Sequence, residues 1–167
     1  MSSFSRRALL AGALPLAACG FRPALGTGGA ATGLVDRVEI ADPADKRAFD
    51  FVERLEERLG RASAPTFRLD YEIATEVQGL AITPENATTR YDVNGTVRYR
   101  LVDIGSGKAV AEGSVQSFTA YSAAGTPVST ATQRDDAYAR LMRLLADQVV
   151  IRLVAQSAAT VAAQAGP

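Results

Sequence analysis

The sequence contains no histidine, no tryptophan and a single cysteine in 167 residues. Without histidine or a second cysteine it cannot assemble Ser-His-Asp or Cys-His catalysis in their usual forms, or a zinc site built on those ligands. One cysteine makes no disulfide framework, so a hydrophobic core has to hold the fold. Neither sign of charge dominates, with 18 basic against 18 acidic residues, so no strong field draws the chain to nucleic acid. A phosphate-cradling loop is also lacking: Gly26-Thr27-Gly28-Gly29 has no following lysine and no strand–helix context. These absences leave only carboxylate chemistry, with Asp70 and Glu72 or Asp135 and Asp136 as candidates. Adjacent charges on exposed faces ordinarily face solvent, so the expectation is a protein that is not an enzyme and needs no cofactor or metal.

What is present begins with the cysteine. Arg6 and Arg7 precede an uncharged run of small and apolar residues, Ala8 to Ala18. That run is about ten residues long, half of what a spanning helix requires. A basic start, a short apolar middle and small residues at the end mark a cleavable export signal, expected over residues 1–18. Its end, Leu16-Ala17-Ala18-Cys19, resembles the bacterial lipobox, in which the cysteine thiol is lipidated and becomes the first mature residue. Cys19 is therefore the expected lipid attachment site. By resemblance to enterobacterial lipoproteins, Gly20 at the second mature position directs the protein to the outer membrane. Ser5 to Leu10 also resembles a twin-arginine signal, so the sequence leaves both export routes open.

Removing residues 1–18 leaves 149 residues, with 16 basic against 18 acidic, a size that fits one domain. Residues 19–33 are rich in Gly, Ala and Thr and read as a tether. Residues 34–156 hold all the periodic segments, and the Ala-rich 157–167 read as a loose tail. Leu34 to Ile40 is a short strand candidate. Asp42-Pro43 signals a helix start, and the helix is expected from about Pro43 to Leu59, stopped by Gly60. Ala48, Val52, Leu55 and Leu59 recur on one face with Phe51 beside them. Thr66 to Gln78 alternates with Phe67, Leu69, Tyr71, Ile73 and Val77 on one side. Thr89 to Asp103 alternates likewise, with Tyr91, Val93, Val97, Tyr99 and Leu101 inward. Asn94-Gly95 is normally a hairpin signal, yet the alternation continues through it, so a bulge is expected there at most. A third long strand follows from Lys108 to Tyr121, then a loop from Thr126 to Thr132. The last helix, with a capping-box-like start at Thr132 and Asp135, is expected to reach about Gln156. Its stripe is Tyr138, Leu141, Met142, Leu145, Val149 and Leu153, extended by Leu144 and Ile151. The order β-α-β-β-β-α predicts an α+β two-layer sandwich: a mixed four-stranded sheet with two helices on one face.

Cys19-Gly20-Phe21-Arg22-Pro23 resembles the mature start of alphaproteobacterial members of the LptE family of lipopolysaccharide-assembly lipoproteins. "VDRVEIADPADKRAFDFVERLEERL", "RLDYEIATEVQGLAITPENATTRYDVNGTVRYRLVD" and "RDDAYARLMRLLADQVVIRLV" are similar to that family's stretches, and the resemblance covers about residues 16–156. It implies a sheet covered by two helices, lipid-anchored on the periplasmic side of the outer membrane. It also implies a plug inside the LptD β-barrel, helping to place lipopolysaccharide on the cell surface. An auxiliary lipoprotein of an ABC-type lipid transporter is the alternative. Because the family interacts with lipopolysaccharide, the loop from about Gly79 to Thr89 is an expected contact, with Leu80 and Ile82 beside Pro84 and Arg90 at its exit. Arg134, near the start of the last helix, is expected at the same end. Arginine pairs bidentately with phosphate, which makes Arg90 and Arg134 the candidate lipopolysaccharide ligands.

Overall fold

The structure, a computed structural model, describes residues 33–82 and 88–164, with side chains described over 33–80 and 89–157. Cys19, the Gly20 to Pro23 stretch and Pro84 lie outside the described residues. The elements are β1 (Val38–Ile40), α1 (Lys46–Leu59), β2 (Phe67–Ile82), β3 (Thr88–Asp103), β4 (Ala109–Ser122) and α2 (Pro127–Gln164). The sheet order is β1-β2-β3-β4, with β1 parallel to β2 and the other two pairings antiparallel. This is the expected α+β architecture.

Each helix stripe meets one face of the sheet. Ala48, Phe51, Val52, Leu55 and Leu59 are the buried residues of α1. Leu141, Met142, Leu145, Val149 and Leu153 of α2 are buried as well, against Leu69, Val93, Val97, Tyr99 and Leu101 of the strands. The two helices lie side by side and run the same way. Arg54 of α1 bridges to Asp147 of α2 at 3.0 Å and to Glu57 at 2.9 Å. These hydrogen bonds to two carboxylates raise the Arg54 pKa above its ordinary value, Asp147 contributing most.

Several expected boundaries move. The cap of α1 is Asp45, not Asp42: its carboxylate accepts the Ala48 N–H at 2.8 Å, an arrangement of about 1 kcal/mol. Ala41 is held by the sheet instead, its N–H donating to Leu69 O at 3.0 Å, so the helix does not begin at Asp42. Helix α2 begins at Pro127, in what reads as a loop, because Thr126-Pro127 is itself a cap followed by proline at the first helical position. Ser129 N–H donates to Thr126 Oγ1 at 3.3 Å. It also continues past Gln156 to Gln164, as an alanine-rich stretch without Gly or Pro allows. Leu144 and Ile151 do not extend the buried stripe; they are 45% and 61% exposed on the outer side of α2. Strand β1 is only three residues long, and the residues before it turn. There Asp36 takes a positive φ and its N–H donates to Leu59 O, fastening the end of α1. Gly60, at φ 77°, packs against the Asp36 carboxylate where a side chain would collide.

Asn94-Gly95 carries neither turn nor bulge. Gly95 sits in register between Thr75 and Ser117, and the shifts fall elsewhere, near Gly79–Ile82 and Leu101/Val102. The reason for glycine is close approach: a Cβ there would lie 2.8 Å from Leu145 Cδ1 and 3.0 Å from Leu141 Cδ2. Helix α2 packs onto the sheet backbone at this point.

Candidate functional site

The outer face of the sheet is charged and of mixed sign. Glu72 and Arg98 are paired at 3.5 Å and both about three-quarters exposed. Arg68 and Asp70 pair at 3.2 Å, and Asp70 stands opposite Arg100. Asp70 and Glu72 are thus surface ion-pair members. Asp135 is bonded to Arg134 in the same way. Among the described residues no group of three or more His, Cys, Asp or Glu could hold a metal ion.

One end of the domain collects a different set of side chains. The C-terminal half of β2, the start of β3, the end of β4, the N-terminus of α1 and the third turn of α2 meet there. Lys46, Arg47 and Asp50 of α1 and Arg134, Asp135 and Tyr138 of α2 line an open cavity of about 320 Å³ between the start of α1 and the third turn of α2. Arg47 is the organising cation. Its guanidinium lies 4.0 Å from the centre of the Tyr138 ring and donates to Thr75 Oγ1 at 2.8 Å. Stacking on an aromatic face orients arginine without neutralising it. Lys46 and Arg134 are each shared with an acid, Asp50 and Asp135, at 3.2 Å in both cases. Tyr91 and Tyr121 stack behind them, ring centres 5.2 Å apart, and burial raises the Tyr121 pKa. The N-terminus of α1 lies at this end, and its partial positive charge adds to that of the cations. Val77 and Leu80, 45% and 51% exposed, supply apolar surface on the adjoining hairpin.

The expected pair of arginines is therefore at one end of the domain but on two faces. Arg134 is on the helix side, beside Tyr121. Arg90 alternates with the inward Tyr91, so it projects from the outer face, exposed, opposite Ser122. The residues that join Arg134 are instead Lys46 and Arg47. A signal for them was present in the sequence: two cations in the first turn of a helix oppose the dipole, which favours acids there.

This geometry is that of a two-layer α+β domain with a mixed-charge sheet face and one cationic end; no described helix is long and apolar enough to cross a membrane. Residues 35–153 match the family model for LptE, lipopolysaccharide-assembly, and the chain belongs to that family. Its role is therefore in lipopolysaccharide assembly. The chain is 29% identical over 105 residues to an uncharacterised protein of Rickettsia prowazekii, covering 63% of this chain and 67% of that one. Its fold is similar to that of a candidate lipoprotein of Caulobacter crescentus, with TM-score 0.65, 19% identity, and coverage of 80% of this chain and 98% of that one. It is also similar to rare lipoprotein B of Shewanella oneidensis, with TM-score 0.53, 14% identity, and coverage of 77% and 96%. At these identities the likeness concerns the fold alone.

Proposed function

We propose that this protein is the non-enzymatic lipoprotein plug of an LptD-type β-barrel. In this reading Cys19 anchors it to the periplasmic side of the outer membrane, and it helps deliver lipopolysaccharide to the outer leaflet. Barrel lumens are polar, because apolar residues face the lipid. A sheet face of paired, opposite charges can enter such a lumen without stripping water from a hydrophobic patch. The observation that carries the lipopolysaccharide part is the cationic end. Lys46, Arg47 and Arg134 line one cavity beside the N-terminus of α1, and Val77 and Leu80 are exposed on the C-terminal half of β2. An amphipathic anion with phosphates beside acyl chains suits that combination. Arg90 adds a contact from the other face of the sheet.

Hydrogen bonds between charged groups contribute about 1.5–3 kcal/mol each. The Arg90→Glu, Arg134→Glu double variant should therefore bind purified lipopolysaccharide at least about tenfold more weakly. Its circular dichroism should be unchanged. Arg47→Glu should weaken binding by itself. Full affinity in the folded double variant would remove these arginines from the site.

A further inference from the structure

The charge on the outer face of the sheet is unevenly spread. On β3, Val93 and Val97 are buried beneath the helices, so Asn94 and Thr96, of the opposite parity, face out. On β4, Val115 is buried and Thr119 Oγ1 donates to Ala137 O of α2 at 3.0 Å. Ser114, Gln116, Phe118 and Ala120 therefore face out as well. In register, Thr96 stands beside Gln116 and Asn94 beside Phe118. These six side chains carry no charge. Charges begin around them: Arg98 opposite Ser114, Asp92 opposite Ala120 and Glu76 opposite Asn94. Much of that rim is neutralised within the sheet, since Arg98 pairs with Glu72 and Arg100 lies between Asp70 and Glu112.

An uncharged centre inside a charged rim is the anatomy of a protein interface, where aromatic side chains are enriched and charges depleted at the middle. The aromatic here is Phe118, 66% exposed. Asn94 beside it and Ala120 two residues on are short, so an approaching surface can close around the ring. The patch is also braced from behind. Its register is unbroken, and it backs onto Gly95, where Leu141 and Leu145 of α2 press on the sheet backbone. A surface already held in its bound shape loses less on association.

We infer that this patch seats against the inner wall of the barrel, with Phe118 as its anchor and the helix layer turned away from the contact. This contact depends on the plug reading and adds to it the face and the residues that touch the wall. The chemistry of the patch selects this occupant. A lumen wall is polar. Neutral hydroxyls and carboxamides can hydrogen-bond to it without burying an unpaired charge. Lipopolysaccharide phosphates find no cation among the six side chains, and one phenyl ring is too little apolar surface for acyl chains. The helix layer matches a polar wall less well, because Leu144 and Ile151 stand exposed on the outer side of α2.

The test uses the full mature chain in native outer membranes. A photo-cross-linking phenylalanine analogue is placed at Phe118 and, in separate chains, at Gln116, Leu144 and Ile151. The Phe118 and Gln116 positions should give adducts with a large β-barrel, identified by mass, and the Leu144 and Ile151 positions several-fold less. Phe118→Lys puts a charge at the centre of the patch and leaves the core alone, so its circular dichroism should be unchanged. It should recover about tenfold less barrel in a mild-detergent pull-down, the scale of a central aromatic anchor. Should that variant not fold, the cross-linking decides alone. Barrel adducts chiefly from Leu144 and Ile151, or undiminished barrel recovery by folded Phe118→Lys, would overturn the inference and leave the plug reading standing. Adducts of the Phe118 position only with lipopolysaccharide or with a second copy would overturn it too. If the unaltered chain recovers no barrel at all, the plug reading falls and this contact with it.

Discussion

Leu145→Ala should destabilise the fold by about 2–5 kcal/mol in chemical denaturation, the range for a buried leucine whose cavity cannot collapse. Leu145 is fully buried, and its Cδ1 occupies the space a Cβ on Gly95 would need. That contact makes a sharper expectation. Gly95→Ala alone should overpack the helix–sheet interface, at about 1–3 kcal/mol. Combined with Leu145→Ala it should cost less than the sum, because the first change opens the space the second fills. Leu55→Ala, equally buried on α1, belongs to the 2–5 kcal/mol class. Glu57→Ala removes a surface ion-pair partner of Arg54 and should change stability by about half a kcal/mol or less. Equal effects of Leu55→Ala and Glu57→Ala, or strict additivity at Gly95 and Leu145, would contradict this packing.

Cys19→Ala should abolish membrane anchoring. Each buried CH2 of an attached lipid contributes about 0.8 kcal/mol, so several acyl chains hold a protein that has no spanning helix among its described residues. In cell fractionation the variant should leave the outer-membrane fraction, either as uncleaved precursor or as soluble protein. Native protein found soluble in the periplasm, with Cys19 a free thiol, would refute the assignment.

How far the sequence carries the fold depends on which physical signal is local. The α1 stripe is local, and all five of its residues are buried as read. The inward alternation of β3 is local too, and it correctly overrode the Asn94-Gly95 turn signal. Caps proved harder, because two capping residues compete within four positions. Asp42 and Asp45 both precede α1, and only the pairing of Ala41 with Leu69 decides between them. Leu144 and Ile151 fit the helical period, but the partner surface is narrower than the apolar arc, so they stay outside. At the candidate site, Arg134 is legible as a candidate phosphate ligand, but the helix start expected to place it lies seven residues earlier, at Pro127. Arg47 leaves only the trace of a cation in a first turn that favours acids; its partners Tyr138 and Thr75 are not legible, one of them 91 positions further along the chain and the other on β2.

The most direct measurement of the central claim is co-purification of the native chain from outer membranes in mild detergent, with its partners identified by mass. The plug assignment predicts a large outer-membrane β-barrel recovered in near-equal amount, together with lipopolysaccharide. Recovery of an inner-membrane transporter or its periplasm-spanning partner, with no barrel, would contradict it.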